Sequence, residues 1–313
     1  MVVGSGLIAK AFIRAGANAF AGNCFYAAGV SNSGCNDERE FRRECERFDA
    51  VMAGCRASDR IVYFSSCSIE DPSAQDSEYV KHKIRMENRV RSRARYLILR
   101  LPQVAGKTPN PHTLLNYLHA RIVRSERFHI WGGATRNIID VDDVVKITLD
   151  LIAMEGANAE TVNIASPRST RMPDIVRAME RVLDTRAVFD ILDKGAMVPI
   201  DTGRISSSIG RCGLMFGDAY IGGIIEKYYG AYCTGMEAAL PVSPSIWQSP
   251  MRMPGDYRAI PSDMFRSHRL RGILPVLTAA HVLRPGQRNF GETPSRRQGD
   301  SVRAPTRKIQ SGT

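Results

Sequence analysis

Gly4-Ser5-Gly6-Leu7-Ile8-Ala9 stands directly after the strand stub Val2-Val3 and opens a helical pattern, residues 7–16 (LIAKAFIRAG). This is the spacing G-x-G-x-x-[GA] in the strand–turn–helix context that gives it meaning. Gly4 permits the tight turn and Gly6 lets a backbone approach a pyrophosphate. Ala9 is small enough for the helix to pack on a sheet. The free N–H groups of a helix N-terminus then face the phosphates. Glycine-rich turns of this kind also occur without ligands, so the turn constrains the fold first and the ligand second.

The chain beyond the turn keeps the same alternation. Strand-like segments are expected at Cys24–Ala27, Arg60–Ser65, 95–101 and 161–165. Helical patterns are expected over 37–56, 78–94, 112–125, 141–154 and 172–184. Strands alternating with helices predict an α/β fold with a doubly wound parallel sheet, a Rossmann-type arrangement. One part is short. Such a fold usually places a second strand, ending in Asp or Glu, about 20 residues after the turn. Residues 17–23 cannot hold a helix and two strands, and Asp37 and Glu38 come late, in a helical pattern. The sheet is therefore expected to be trimmed in its second and third strand region.

The net charge of +11 is unevenly placed. Residues 231–313 hold twelve Lys and Arg against five Asp and Glu, so seven of the eleven excess charges lie there, with nine of the sixteen prolines. This basic Pro/Arg-rich tail is expected to be mostly disordered. It shows no recognisable nucleic-acid motif, so no specific nucleic-acid partner is expected. Residues 1–230 are the expected catalytic unit. No apolar run of membrane-spanning length and no secretory leader pattern are seen. Seven cysteines, an odd number without a C-x-x-C pair, fit reduced thiols and a cytoplasmic protein. The six histidines show no metal-ligand spacing, and no metal is expected.

Tyr79-Val80-Lys81-His82-Lys83 sets a tyrosine and a lysine four residues apart on a predicted helix, hence on one face. A free phenol, with a pKa near ~10, is a poor base at neutral pH. An adjacent ammonium favours the phenolate, and Tyr79 could then exchange a proton with a substrate hydroxyl. Ser66, closing the strand that ends in FSS, would hydrogen-bond the same oxygen. A lone Y-x-x-x-K is common on solvated helices; order and spacing raise its significance here, because the glycine turn, the Ser-terminated strand and the Tyr/Lys helix follow one another.

Other segments carry a family resemblance. Tyr26-Ala27-Ala28-Gly29-Val30-Ser31 is similar to an Ala-rich strand end. Leu99-Arg100-Leu101-Pro102-Gln103-Val104-Ala105-Gly106 is similar to an "LRxxxVxG" loop. Arg136-Asn137-Ile138-Ile139-Asp140-Val141-Asp142-Asp143-Val144 is similar to an "R-x-F-I-H-V-x-D" segment, and Val162-Asn163-Ile164-Ala165 to a "YN-[IL]-G" strand. Over residues 1–230 the chain resembles the NAD(P)-dependent epimerase/dehydratase group of extended short-chain dehydrogenases/reductases. The resemblance implies NAD or NADP as cofactor, a nucleotide-linked sugar as substrate, and an epimerase or reductase activity. It implies Ser66, Tyr79 and Lys83 as catalytic residues. It implies Gly4, Ser5, Gly6, Leu7, Ile8, Ala27, Ala28, Gly29, Tyr79, Lys83, Leu101, Pro102 and Val104 around the cofactor. Ser31, Ser68, Gln103, Asn116 and Arg136 would meet the substrate, within elements 103–140 and 166–230. A homodimer is a further expectation from the family.

Departures narrow the reading. Sugar-nucleotide dehydratases place Asp-Glu after the Ser/Thr; here Cys67 and Ser68 stand there, which disfavours a dehydratase. Asp140 replaces a histidine and is accompanied by Asp142 and Asp143, one of which is expected to cap the next helix. Trp131 is expected to pack a Gly132-Gly133 turn. The trimmed sheet keeps an alternative open, a catalytically inactive relative that binds a nucleotide or a partner.

Overall fold

The computed structural model describes residues 1–155 and 158–230; the expectation for 231–313 lies outside the described residues. In chain order the elements are β1 (Val2–Val3), α1 (Leu7–Arg14), β2 (Asn23–Tyr26), α2 (Glu38–Gly54), β3 (Arg60–Ser66), α3 (Glu78–Arg91) and β4 (Tyr96–Leu101). There follow β5 (Gln103–Ala105), α4 (Leu114–Val123), β6 (Phe128–Trp131), β7 (Thr135–Arg136), β8 (Ile138–Asp140) and α5 (Val141–Glu155). The remainder is β9 (Glu160–Asn163), β10 (Thr170–Arg171), α6 (Met172–Leu183), β11 (Phe189–Leu192), α7 (Ser206–Arg211) and α8 (Tyr220–Tyr229).

The main sheet is parallel and ordered β1-β2-β3-β4-β9. Its strands are buried on both faces, and alternate residues serve opposite sides. Phe25, Val62, Phe64, Leu97 and Leu99 pack under α1 and α5, with Phe12 of α1 at 5.2 Å from Phe25 and 5.1 Å from Phe64 by ring centroids. Cys24, Tyr26, Ile61, Tyr63 and Ile98 face the other way, against Phe48 of α2 and Met86 and Val90 of α3. Helices thus cover both faces of a parallel sheet, as the strand–helix alternation predicts.

The trimming also takes structural form. β1 pairs with β2 on one side, and on the other the Val2 N–H donates to the Asn18 side-chain oxygen at 2.8 Å. Among the described residues β1 is the outer strand of this sheet. A short 3-10 turn, Ala17–Ala19, covers its open edge, which would otherwise present free backbone groups.

A second core gathers Leu114, Leu118 and Ile122 of α4, Ile175, Val176 and Met179 of α6, and Ile224 and Ile225 of α8 around Phe128 and Ile130 of β6. Here β6 pairs with β11 in parallel, β5 with β8 in parallel, and β7 with β10 antiparallel. Sequence periodicity did not mark these short strands, nor α7 and α8.

Three expectations need correction. The helix expected over 112–125 runs Leu114–Val123. The helix α5 is capped by Asp140, whose Oδ1 accepts the Asp142 N–H at 2.8 Å. Asp143 instead accepts from the Tyr220 hydroxyl at 2.8 Å, and Asp142 takes the Lys227 ammonium at 2.8 Å. The strand expected at 161–165 runs Glu160–Asn163. Among the described residues no helix is long and apolar enough to cross a membrane, and the six cysteines there are free thiols.

Candidate active site

The predicted residues converge on the C-terminal ends of neighbouring parallel strands, where open α/β sheets bind ligands. Gly4, Ser5 and Gly6 follow β1; Ala27, Ala28 and Gly29 follow β2; Ser66 ends β3; Leu101 ends β4 and Pro102 follows it, with Gln103 and Val104 in β5. Gly4 has φ +127°, and a Cβ there would stand 2.3 Å from the Ala27 carbonyl oxygen. Only glycine therefore lets the β1 turn lie against the end of β2. Gly6 is the N-cap of α1, makes no side-chain cap, and has open space where a Cβ would be. Leu7, the first helical residue, packs over Gly106.

α3 carries Tyr79 and Lys83, 7% and 2% exposed. Lys83 Nζ lies 5.7 Å from the Tyr79 ring centroid and 5.3 Å from that of Tyr63. Ser66, 8% exposed, accepts the Ser68 N–H on its hydroxyl oxygen at 3.1 Å and so caps the 3-10 turn Cys67–Glu70. Its O–H remains a donor. α3 packs against that turn, which sets Ser66 and the Tyr79 helix side by side.

Two buried carboxylates hold this arrangement, and neither was singled out from the sequence. Glu87, one turn beyond Lys83, accepts from Ser65 Oγ at 2.7 Å, from Arg100 Nε and Nη2 at 2.9 and 2.8 Å, and from Arg91 at 2.7 Å. Burial raises its carboxyl, but these partners outweigh it and leave the pKa lowered. The network pins α3 to β3 and β4. Arg100 reaches on to Glu70 at 2.8 Å.

Glu44 of α2 is 2% exposed. It accepts from the Val30 N–H at 2.7 Å, Tyr63 OH at 2.8 Å and Lys83 Nζ at 3.5 Å, and bonds His82 Nε2 at 2.9 Å. Burial opposes its charge, but Lys83, His82 and the Val30 N–H prevail and bring the carboxyl from 4.5 down to about 2. A depressed folded-state value stabilises the fold above the unfolded value and is lost as pH falls. By linkage the contribution is on the order of 3 kcal/mol. The stability gap between the wild type and Glu44→Gln is expected to shrink by about that amount as pH falls from about 4.5 to about 2. Denaturant titrations across that window measure it.

Cys67 sits at the start of the turn after Ser66 with its thiol pushed up to about 12 by burial, so it stays protonated. Among the expected substrate residues, Ser31 is exposed and Ser68 half-buried. Gln103 and Arg136 are half-buried too, the Arg136 guanidinium depressed by burial. Asn116 spends its amide on the Thr108 and Asn110 carbonyls at 2.9 and 2.8 Å and its oxygen on Tyr229 OH at 2.7 Å. It therefore braces the 108–110 loop. Trp131 is half-buried against the second core.

Residues 27–165 match the model of the NAD dependent epimerase/dehydratase family. The match begins after the Gly4–Gly6 turn and covers less than half of the chain. No curated protein matches the sequence. Among solved structures, the chain is similar to a UDP-N-acetylglucosamine 4-epimerase from Methanobrevibacter ruminantium M1 in complex with UDP-N-acetylmuramic acid. The TM-score is 0.55 at 17% identity, over 68% of this chain and 77% of that one. It is similar to the Bordetella bronchiseptica enzyme WbmH in complex with NAD+, with TM-score 0.53 at 14% identity, over 72% and 81%. It is also similar to a UDP-glucose 4-epimerase from Bifidobacterium longum in complex with NAD+ and UDP, with TM-score 0.51 at 14% identity, over 64% and 74%. At these identities the likeness establishes the fold.

Proposed function

We propose that the protein is a cytoplasmic NAD(P)-dependent epimerase or reductase acting on a nucleotide-linked sugar. The observation that carries this reading is the buried pair of Tyr79 and Lys83 on one face of α3, beside Ser66 and at the strand ends that also bear the glycine turn. The family match over 27–165 supports it, as do the NAD+ and UDP-sugar ligands of the similar structures.

The residues present fit part of a dinucleotide. Gly6, with no Cβ and no capping side chain, leaves the first N–H groups of α1 free for a pyrophosphate. Gly29 leaves room for the Lys83 ammonium against the backbone. Ala27, Ala28, Leu101, Pro102 and Val104 would line the nicotinamide half. When bound, the nicotinamide gives or takes the hydride. Tyr79 holds or moves the proton at the sugar hydroxyl, the Lys83 ammonium favours its phenolate, and the Ser66 O–H orients the same oxygen. Cys67, a protonated thiol, offers no carboxylate for water elimination, so the reaction stops at hydride and proton transfer. The substrate would lie against residues from 103–140 and 166–230, among them Gln103 and Arg136.

The outer position of β1 favours a second reading, a relative that binds a nucleotide or a partner without turnover, because the adenosine ribose lacks its usual acidic strand end. Incubation with a panel of UDP- and dTDP-sugars, with NAD or NADP added and products separated by chromatography, tests the first reading. Conversion of one sugar nucleotide, lost in Lys83→Met, is the expected result. Binding of a sugar nucleotide without conversion in any cofactor state favours the second.

A further inference from the structure

We propose that Glu44 is a positioning residue of this site: its carboxylate is the counter-ion that keeps the Lys83 ammonium charged and fixed beside Tyr79. The inference rests on the roles proposed above for Tyr79 and Lys83. An ammonium 2% exposed is in an environment that disfavours charge. Burial in a low-dielectric interior disfavours the charged form of a lysine unless an anion faces it. A neutral Lys83 would do nothing for a phenolate.

The geometry answers that cost at one point. An ammonium has three N–H donors. One goes to Tyr63 OH at 3.1 Å and one to Glu44 Oε1 at 3.5 Å. The third is left for the side where Tyr79 lies. Glu44 is itself fixed in advance by Val30 N–H, Tyr63 OH and His82 Nε2. Tyr63 stays a phenol, because burial and the Glu44 charge hold its pKa well above the usual value, so it donates to the carboxylate and accepts from the lysine. A Cβ on Gly29 would stand 2.8 Å from both Glu44 Oε1 and Lys83 Nζ. Backbone, carboxylate and ammonium thus meet where the strand end passes. The titratable groups around the ammonium are Glu44 from α2, Tyr63 from β3, and Tyr79 and His82 from α3. Tyr26 of β2 closes the far side through the Glu44 carbonyl at 3.1 Å.

The test is an ultraviolet titration of tyrosinate on the full chain, reading the component that Tyr79→Phe removes. In the wild type this component is expected to ionise at lower pH than in Lys83→Met. Glu44→Gln, which keeps the shape and removes the charge, is expected to move it upward by about one pH unit or more, towards the Lys83→Met value. A Glu44→Gln midpoint equal to or below that of the wild type overturns the proposal. If Glu44→Gln does not fold, Glu44→Asp carries the test: a midpoint near the wild type supports the counter-ion role, and one at the Lys83→Met value overturns it. The readout needs neither cofactor nor turnover, so it stands or falls separately from the enzyme reading. Where turnover is found, Glu44→Gln is expected to lower kcat about tenfold or more with KM little changed, and to bring the alkaline limb of the pH profile to lower pH.

Discussion

Replacing Tyr79 by Phe is expected to lower turnover by about 10³-fold, within the range that a positioned acid/base group contributes. The ring is buried with only 7% exposed and packs with Ala74 and Val80, so Phe retains the packing and loses only the hydroxyl. Dinucleotide affinity should then stay within about threefold of the wild type and stability within about 1 kcal/mol. Steady-state rates with the accepted sugar nucleotide, beside a binding titration of the same variant, measure both. A fall in affinity as large as the fall in rate would instead make Tyr79 a packing residue.

Gly4→Ala is expected to be the most damaging change in the glycine turn. The backbone there has φ +127°, rarely adopted by residues with a side chain. The added methyl would meet the Ala27 carbonyl oxygen at 2.3 Å and its carbon at 2.7 Å. Neither can move cheaply, because the Ala27 N–H donates to the Val3 oxygen at 2.8 Å and closes the β1–β2 ladder. A loss of about 2–3 kcal/mol is expected in denaturant unfolding. Any folded fraction should bind dinucleotide about tenfold or more weakly. Gly6→Ala is the control. Its Cβ meets nothing within 4 Å and its backbone is extended, so stability should hold within about 0.5 kcal/mol while phosphate binding weakens.

How much of this was legible depended on pattern length. Arg60–Ser66 is buried along its whole length and reads as an apolar strand, and the Tyr79/Lys83 spacing lies on a helix as expected. Strands of two to four residues, such as β7, β8 and β10, are held by pairing partners far away in sequence, and no local period marks them. Glu44 was hidden in the charged run Glu38–Arg47. The signal was its place between Phe41 and Phe48, on the buried face of α2, where a helix is otherwise apolar. A carboxylate on such a stripe implies a buried cation, and Lys83 lies 39 positions away. The trimmed sheet, by contrast, followed from counting. Eight residues between α1 and β2 leave no room for further strands, and β1 takes the outer place.

The central claim is that this shortened sheet still serves a dinucleotide, and a calorimetric titration of the full chain with NAD, NADH, NADP and NADPH tests it most directly. The account predicts saturable one-to-one binding of at least one of the four at micromolar levels, weakened by Gly6→Ala and preserved in Tyr79→Phe. Absence of binding by all four would contradict it, and would leave the buried Tyr79 and Lys83 serving no hydride chemistry.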